Sequence, residues 1–328
     1  MHLAFLRSST VDKSEVLAED FSFLCKKLST AGVKIDVPAW DDPDVDWTLY
    51  SHIILTSQME YDVQIDKFIL WMQRMEKLVK QNGFKMWNSP KTIQWNFNKK
   101  YLLELESKGI TIPATVLFDH NNLTPNNDMT DLIINGFKKY NREIKEIVIK
   151  NAVGAAGRSV WRANLIKKSD GCYALEESAL AKLHQLMLSE AGKFGIIIQE
   201  FLPQILSEGE WSLIYFNKIF SHAIIKKCPP LKNSVCEENS NNYPEEFRVQ
   251  RRYGGFVETI PEISVPEFLI CFGSRILSLI SEDLLHARVD IIVKDNHPYL
   301  IELEILDMRL YISEPKYAER YAKSILNL

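Results

Sequence analysis

No cysteine pair at C-x-x-C spacing occurs in this sequence of 328 residues. The five cysteines (Cys25, Cys172, Cys228, Cys236 and Cys271) are an odd number and cannot close into a full disulfide set. Reduced thiols in a cytoplasmic protein are therefore expected, with a local bridge between Cys228 and Cys236 as the one alternative. No run of about 18 apolar residues is present, so no membrane span is expected. The apolar stretch at Met1–Leu6 is too short for a secretory signal and meets Arg7 at once. Neither sign of charge dominates: 39 basic and 43 acidic residues leave a formal net charge of -4. Without a polybasic footprint, neither nucleic acid nor an anionic membrane is the expected partner. Repeats and low-complexity tracts are also absent. So is any Gly-Lys-Ser/Thr step, which excludes a Walker A loop.

What is there is ordinary globular material. The chain is 46% hydrophobic and 25% charged, and long enough for two or three units with buried cores. In a first unit, residues 1–90, strand patterns at Leu3–Leu6, Val33–Val37 and His52–Thr56 alternate with helical patterns at Ser14–Leu28 and Ile65–Lys80. That alternation implies a small parallel sheet with helices on its faces. A second unit, 91–195, has helices at Asn98–Lys108, Leu132–Tyr140 and Leu180–Ala191. Its strands are expected at Ala114–Phe118, Ile144–Lys150 and Val160–Ala163. A third unit, 196–328, opens on Ile196–Ile198. It continues with a hairpin of Trp211–Phe216 and Ile219–Lys226, a long helix at Val265–Leu285, and a second hairpin of Ala287–Val293 and Pro298–Leu303. Cys228–Glu246 reads as a mobile loop. The fold class is α/β (α+β).

The last hairpin carries the strongest chemical signal. Arg288 and Asp290 are two apart and share a sheet face, as do Glu302 and Glu304. Pairing the strands gathers three carboxylates, which repel one another unless a cation sits among them. Hard oxygen ligands select Mg²⁺ or Mn²⁺. The competing reading is a solvated face with surface ion pairs. A second signal is Lys150 at a strand end, followed by the small-residue loop Asn151–Ser159, with Gly154 and Gly157. Backbone N–H groups approach phosphates only where side chains are small, and the lysine adds a point charge. A plain turn explains this loop equally well. A third is Gln199-Glu200-Phe201-Leu202, a segment leaving a buried strand with backbone groups for a purine edge and apolar contact from Phe201 and Leu202.

Together these stretches resemble the ATP-grasp superfamily, most closely the group with D-cycloserine ligase and the ATP-binding region of bacterial glutathione synthetase. The resemblance runs from about Trp87 to Tyr311, with a weaker echo in the first unit. It carries the motifs Trp95–Leu102, Thr111–Thr115, Ile147–Lys150, Gly154–Ser159, Gln199–Leu202, Gly209–Leu213, Phe220–Lys226, Phe247–Gln250, Ala287–Asp290 and Glu302–Glu304.

It implies an ATP-grasp fold with an N-terminal Rossmann-like domain and two α+β subdomains enclosing ATP. The activity implied is a carboxylate–amine ligase working through an acyl phosphate. Lys99 and Lys150 would be the nucleotide lysines, and Gly154, Gly157 and Ser159 the phosphate-covering loop. Gln199, Glu200, Phe201 and Leu202 would form the adenine hinge, with Glu210 at the ribose in preference to Glu208, and Lys226 beside it. Arg248 and Arg288 would be catalytic, with Asp290, Glu302 and Glu304 on the metal. The substrates implied are a small carboxylate and an amine, with a homodimer as a further partner. A protein-tail ligase and a non-catalytic nucleotide-binding regulator stay open beside this reading.

Three places depart from the pattern. Asn151 stands where relatives usually have proline, and Asp307-Met308 where proline is common. In Thr56–Tyr61 only Ser57 and Tyr61 of the relatives' substrate-facing motif remain, which points to an unfamiliar substrate. His222 reads as a structural histidine, and Asp41–Asp44 as a solvated loop. Arg251-Arg252 is either a substrate clamp or plain surface.

Overall fold

The computed structural model describes every residue except 18–20, 57–58, 120–128, 168–172, 231–245, 307 and 328. The strands, in chain order, are β1 (His2–Leu6), β2 (Lys34–Asp36), β3 (His52–Leu55), β4 (Lys85–Trp87), β5 (Thr115–Phe118), β6 (Glu146–Asn151) and β7 (Val160–Lys167). They continue with β8 (Tyr173–Leu175), β9 (Ile196–Glu200), β10 (Glu210–Phe216), β11 (Ile219–Lys227), β12 (Phe256–Thr259), β13 (His286–Lys294) and β14 (His297–Glu304). They form three sheets, ordered β2-β1-β3-β4, β5-β9-β6-β7-β8 and β12-β11-β10-β13-β14.

The first sheet is parallel throughout, as the strand–helix alternation required. Helix Ile65–Asn82 packs Phe68, Trp71, Met72 and Met75 onto it with Trp40 and Trp47. That helix stops at Gly83, whose φ of 72° is a left-handed end that glycine adopts at little cost. The other two sheets are antiparallel.

Three expectations need correction. β9 does not open the third unit; it lies between β5 and β6 inside the second sheet. Its Ile196–Ile198 run is buried on both faces, and such a run carries no mark of the sheet it joins. The helix expected over Val265–Leu285 spans only Glu267–Ser278. Ile280, Leu284 and Leu285 beyond it are buried without being helical, so apolar spacing overshot the end. The helix of Asn98–Lys108 is Tyr101–Ser107, preceded by a separate helix Pro90–Phe97 capped by Ser89. The C-terminal helix Pro315–Leu326 was not anticipated. Most of the Cys228–Glu246 loop falls outside the described residues, as do Cys172, Cys236 and Ser57.

Both expected hairpins are present. Their turns are Asn217-Lys218 (φ 49° and 63°) and Asp295-Asn296 (φ 52° and 61°). Two central residues at positive φ match the right-handed twist of the flanking strands.

Candidate active site

The carboxylates owe their arrangement to the register of β13 on β14. Arg288 faces Glu304, and Asp290 faces Glu302. A bulge follows: Asp290 pairs with Glu302 while Ile291 pairs with Leu300, leaving Ile301 as the extra residue. One ligand oxygen from each of Asp290, Glu302 and Glu304 lies within 4.8 Å of the others. β14 is an edge strand, and two helices hold its outer backbone. The Tyr101 hydroxyl accepts from the Leu303 amide (2.9 Å) and donates to the Leu303 carbonyl (3.1 Å). Asn96 Nδ2 donates to the same carbonyl at 2.8 Å. Leu303 is thus fixed between the two glutamates, and both keep one face.

The cluster closes one side of a cleft of about 630 Å³ between the second and third sheets. Its lining includes Lys99, Lys150, Gly154, Gly157, Gln199–Leu202, Glu210, Lys226, Arg248, Arg288 and the three carboxylates. Sequence positions more than two hundred residues apart meet here, Lys99 and Glu302 among them, and most of the contacts are ionic. Lys99 Nζ lies 3.1 Å from Glu302 and donates to the Gly154 carbonyl at 2.6 Å. Lys226 Nζ reaches Glu210 at 2.8 Å and Asp290 at 3.0 Å. Arg288 holds Asp290 through Nε and Nη2, and Nη2 also meets Glu304 at 3.1 Å. Lys150 Nζ donates to Gln199 Oε1 at 3.2 Å, and Gln199 Nε2 to Thr115.

The electrostatics separate the carboxylates. Burial opposes ionisation of Asp290, but Arg288, Lys226 and the Ser212 hydroxyl outweigh it and hold the group well below the ordinary range. Burial likewise pushes Glu302 up, and Lys99 and Lys150 pull it down further. At Glu304 burial wins: despite Arg288 it rises to about 8, with Glu302 and Asp290 adding repulsion. Burial also lowers Lys150 to about 8 against the attraction of Glu302. A carboxyl kept mostly protonated at neutral pH beside two ionised ones marks a site short of positive charge. An all-oxygen donor set with that deficit fits a hard divalent cation.

Other expected residues stand differently. Ser159 is exposed and turned to a separate groove with Trp161 and Gln185, so it does not line the cleft. The Glu200 side chain is tied to Arg142, Lys294 and the Ala114 amide. The amides of Glu200 and Phe201 donate to Ala114 and Glu146 carbonyls. Arg248 lies in the cleft wall, gripped by Glu246 and stacked 3.4 Å over the Tyr253 ring. Arg251 and Arg252 line the same wall, and Glu208 is outside it. His222 is buried, hydrogen-bonded to Ser221 and the Leu310 carbonyl, and stacked 3.9 Å from Tyr317. That is the structural role expected of it. Asp41 is held by Ser9 and Gln64.

The sequence reading passed over Ser212, whose hydroxyl donates to Asp290 at 2.6 Å, and Arg309 and Tyr311, which also line the cleft. Ser212 alternates with Glu210 along β10, a signal that was available. Arg309 and Tyr311 lie outside any strand and left none.

The three sheets, with the cleft between the second and third, are the ATP-grasp fold. The chain is similar to several proteins of that fold. Residues 3–83 match the N-terminal domain of D-cycloserine synthetase DcsG. The cycloserine biosynthesis protein DcsG of Streptomyces lavendulae is 24% identical over 208 residues, 63% of this chain and 62% of that protein. A crystal structure of D-cycloserine synthetase DcsG superposes with a TM-score of 0.72 at 19% identity, covering 100% of this chain and 99% of that one. The D-alanine–D-alanine ligase of Bacillus anthracis gives 0.60 at 13% identity, covering 99% and 95%. Among the described residues, no helix is long and apolar enough to cross a membrane.

Proposed function

We propose that this chain is an ADP-forming carboxylate–amine ligase acting on a small amino-acid-like or peptide carboxylate. The observation that carries the reading is one cleft holding three clustered carboxylates ringed by Lys99, Lys150, Lys226 and Arg288. A triphosphate needs positioning and charge neutralisation rather than a covalent nucleophile, and this cleft supplies both.

The adenine edge would meet the Leu202 amide, since those of Glu200 and Phe201 are spent inside the sheet. Phe201 and Leu202 give apolar contact, and Glu210 takes the ribose. Lys99, Lys150 and the backbone of Gly154–Gly157 hold the phosphates. Asp290, Glu302 and Glu304 would hold Mg²⁺ or Mn²⁺, which when bound neutralises phosphate charge. A substrate carboxylate oxygen attacks the γ-phosphorus, forming an O–P bond as the bond to ADP breaks. The amine nitrogen then attacks the acyl carbon, phosphate leaves with its bonding pair, and the amine proton passes to solvent. Arg288 and Arg248 would hold the transferred phosphoryl group by exchanging Asp290 and Glu246, which occupy their forks, for its oxygens.

Similarity of residues 3–83 to a cycloserine-forming enzyme's N-terminal domain supports a small substrate. Thr56–Tyr61 argues that it is not the relatives' own. The test is ADP release against pooled amino acids and short peptides, with hydroxylamine trapping the acyl phosphate as a hydroxamate. Release of AMP and pyrophosphate would refute the mechanism. A mass shift on a polypeptide instead of a small product would reassign the acceptor to a protein tail.

A further inference from the structure

We infer that Asp62, in the first unit, is a positioning residue of the nucleotide site, fastening the glycine-rich loop to the unit expected to choose the substrate. The inference rests on the nucleotide reading above for its consequence, but its geometry stands alone. Asp62 lies in the one-turn helix Tyr61–Val63, ahead of helix Ile65–Asn82. Its side chain is only 5% exposed. Both of its oxygens are used by the loop. Oδ2 accepts from Arg158 Nε at 2.7 Å and from the Ala155 amide at 3.2 Å, and Oδ1 accepts from Arg158 Nη2.

The neighbouring residues reinforce the attachment. Tyr61 Oη donates to the Gly154 carbonyl at 3.4 Å. Val153 is fully buried among the first unit's own apolar side chains. From the opposite side, Arg248 and Tyr253 both donate to the Gly157 carbonyl. A side chain at Gly157 would meet Gln250 Oε1 at 2.7 Å. The loop is therefore held between the first and third units. Asp62 is the one carboxylate, among the described residues, that binds a backbone amide of this loop. A two-point carboxylate–guanidinium pair fixes direction as well as distance. Loop closure over phosphates is thereby linked to the placement of Tyr61–Val63, next to the divergent Thr56–Tyr61 segment.

The test uses the full chain and two readouts. Trypsin cleavage after Arg158, followed by mass spectrometry without nucleotide, reports how often the loop opens. Calorimetric titration with Mg–AMPPNP reports nucleotide affinity. Asp62→Asn should speed the cleavage roughly fivefold and weaken Mg–AMPPNP roughly tenfold. Its effect on affinity should shrink in an Arg158→Gln background, which removes the cleavage site, because coupled residues are not additive. Arg158→Lys keeps the charge and the trypsin site but loses the fork. It should fall between wild type and Asp62→Asn, and it stands in if Asp62→Asn does not fold. Unchanged cleavage together with unchanged affinity overturns the inference. Tighter nucleotide binding by Asp62→Asn also overturns it, by making Asp62 a competitor of phosphate for the Ala155 amide. If wild type itself does not bind Mg–AMPPNP, the nucleotide reading fails, and the cleavage rates still decide the role of Asp62.

Discussion

Arg288 and Asp290, two residues apart on one strand, face each other through a two-point ion pair, Nε to Oδ1 and Nη2 to Oδ2, both at 2.8 Å. The pair is buried, and Glu304 shares the same guanidinium. Removing one partner of such a pair costs about 3–5 kcal/mol, because the other charge stays buried. Arg288→Met should therefore lower the melting temperature sharply. The excess negative charge left behind should also make the variant more responsive to Mg²⁺. The expected result is a larger rise in melting temperature on adding Mg²⁺ than wild type shows. Equal rises would mean that the three carboxylates do not share one cation.

Glu302 is the carboxylate flanked by Lys99 and Lys150. Outer partners of metal ligands already cost roughly 10–100-fold in metal affinity when lost. Glu302→Gln, which keeps shape and removes charge, should raise the Mg²⁺ concentration needed for half-maximal nucleotide binding by roughly 100-fold. Fluorescence titration of a nucleotide analogue against Mg²⁺ would measure it. An unchanged midpoint would exclude Glu302 from the metal.

Burial holds Lys150 near 8, so its charge depends on pH in the ordinary laboratory range. The lysine is protonated, and able to balance phosphate, below that value. Affinity for Mg–AMPPNP should fall as pH rises through about 8 and beyond, the bound phosphates moving the midpoint upward. Lys150→Arg, always charged, should lose this fall and keep only the opposite rise as Glu304 ionises through about 8. A falling profile in that variant would assign the titration to another group.

His222 is buried neutral, its value lowered to about 4 by burial against the pull of the Leu310 carbonyl. The unfolded chain, with an ordinary histidine near 6.5, binds the extra proton first. Stability from this group is therefore complete above about 6.5 and is lost as pH falls towards 4, at about 1.4 kcal/mol per pH unit. His286, lowered to about 3 by burial, acts in the same direction. Urea unfolding of His222→Gln across this window should show a slope smaller than wild type by one proton. An identical slope would mean that His222 is already charged in the folded state.

The carboxylate cluster was legible because β-strand alternation is strict. Once Arg288, Asp290, Glu302 and Glu304 were assigned to a hairpin, their common face followed. The bulge at Ile301 was not legible, since nothing in Tyr-Leu-Ile-Glu marks where the register slips. Lys150 was found from its place at a strand end before a small-residue loop, and Lys99 through resemblance to known motifs; their approach to Glu302 depends on the second and third sheets closing together. Ile196–Ile198 was read correctly as a strand and put in the wrong sheet, because a uniformly apolar run names no neighbour. Ser159 was carried over with the loop, but its backbone takes a φ of 53° and the side chain is exposed. Asp62 and Arg158 were invisible as a pair. They are 96 residues apart, and each alone is an ordinary surface-type residue.

The hydroxyl of Tyr101 has a second consequence. β14 ends its sheet, and a bare sheet edge is a template on which another chain can add a strand. By filling the donor and acceptor of Leu303, Tyr101 and Asn96 close that template where the two glutamates stand. The contact that aims the carboxylates also occupies edge groups on which another chain could otherwise add a strand.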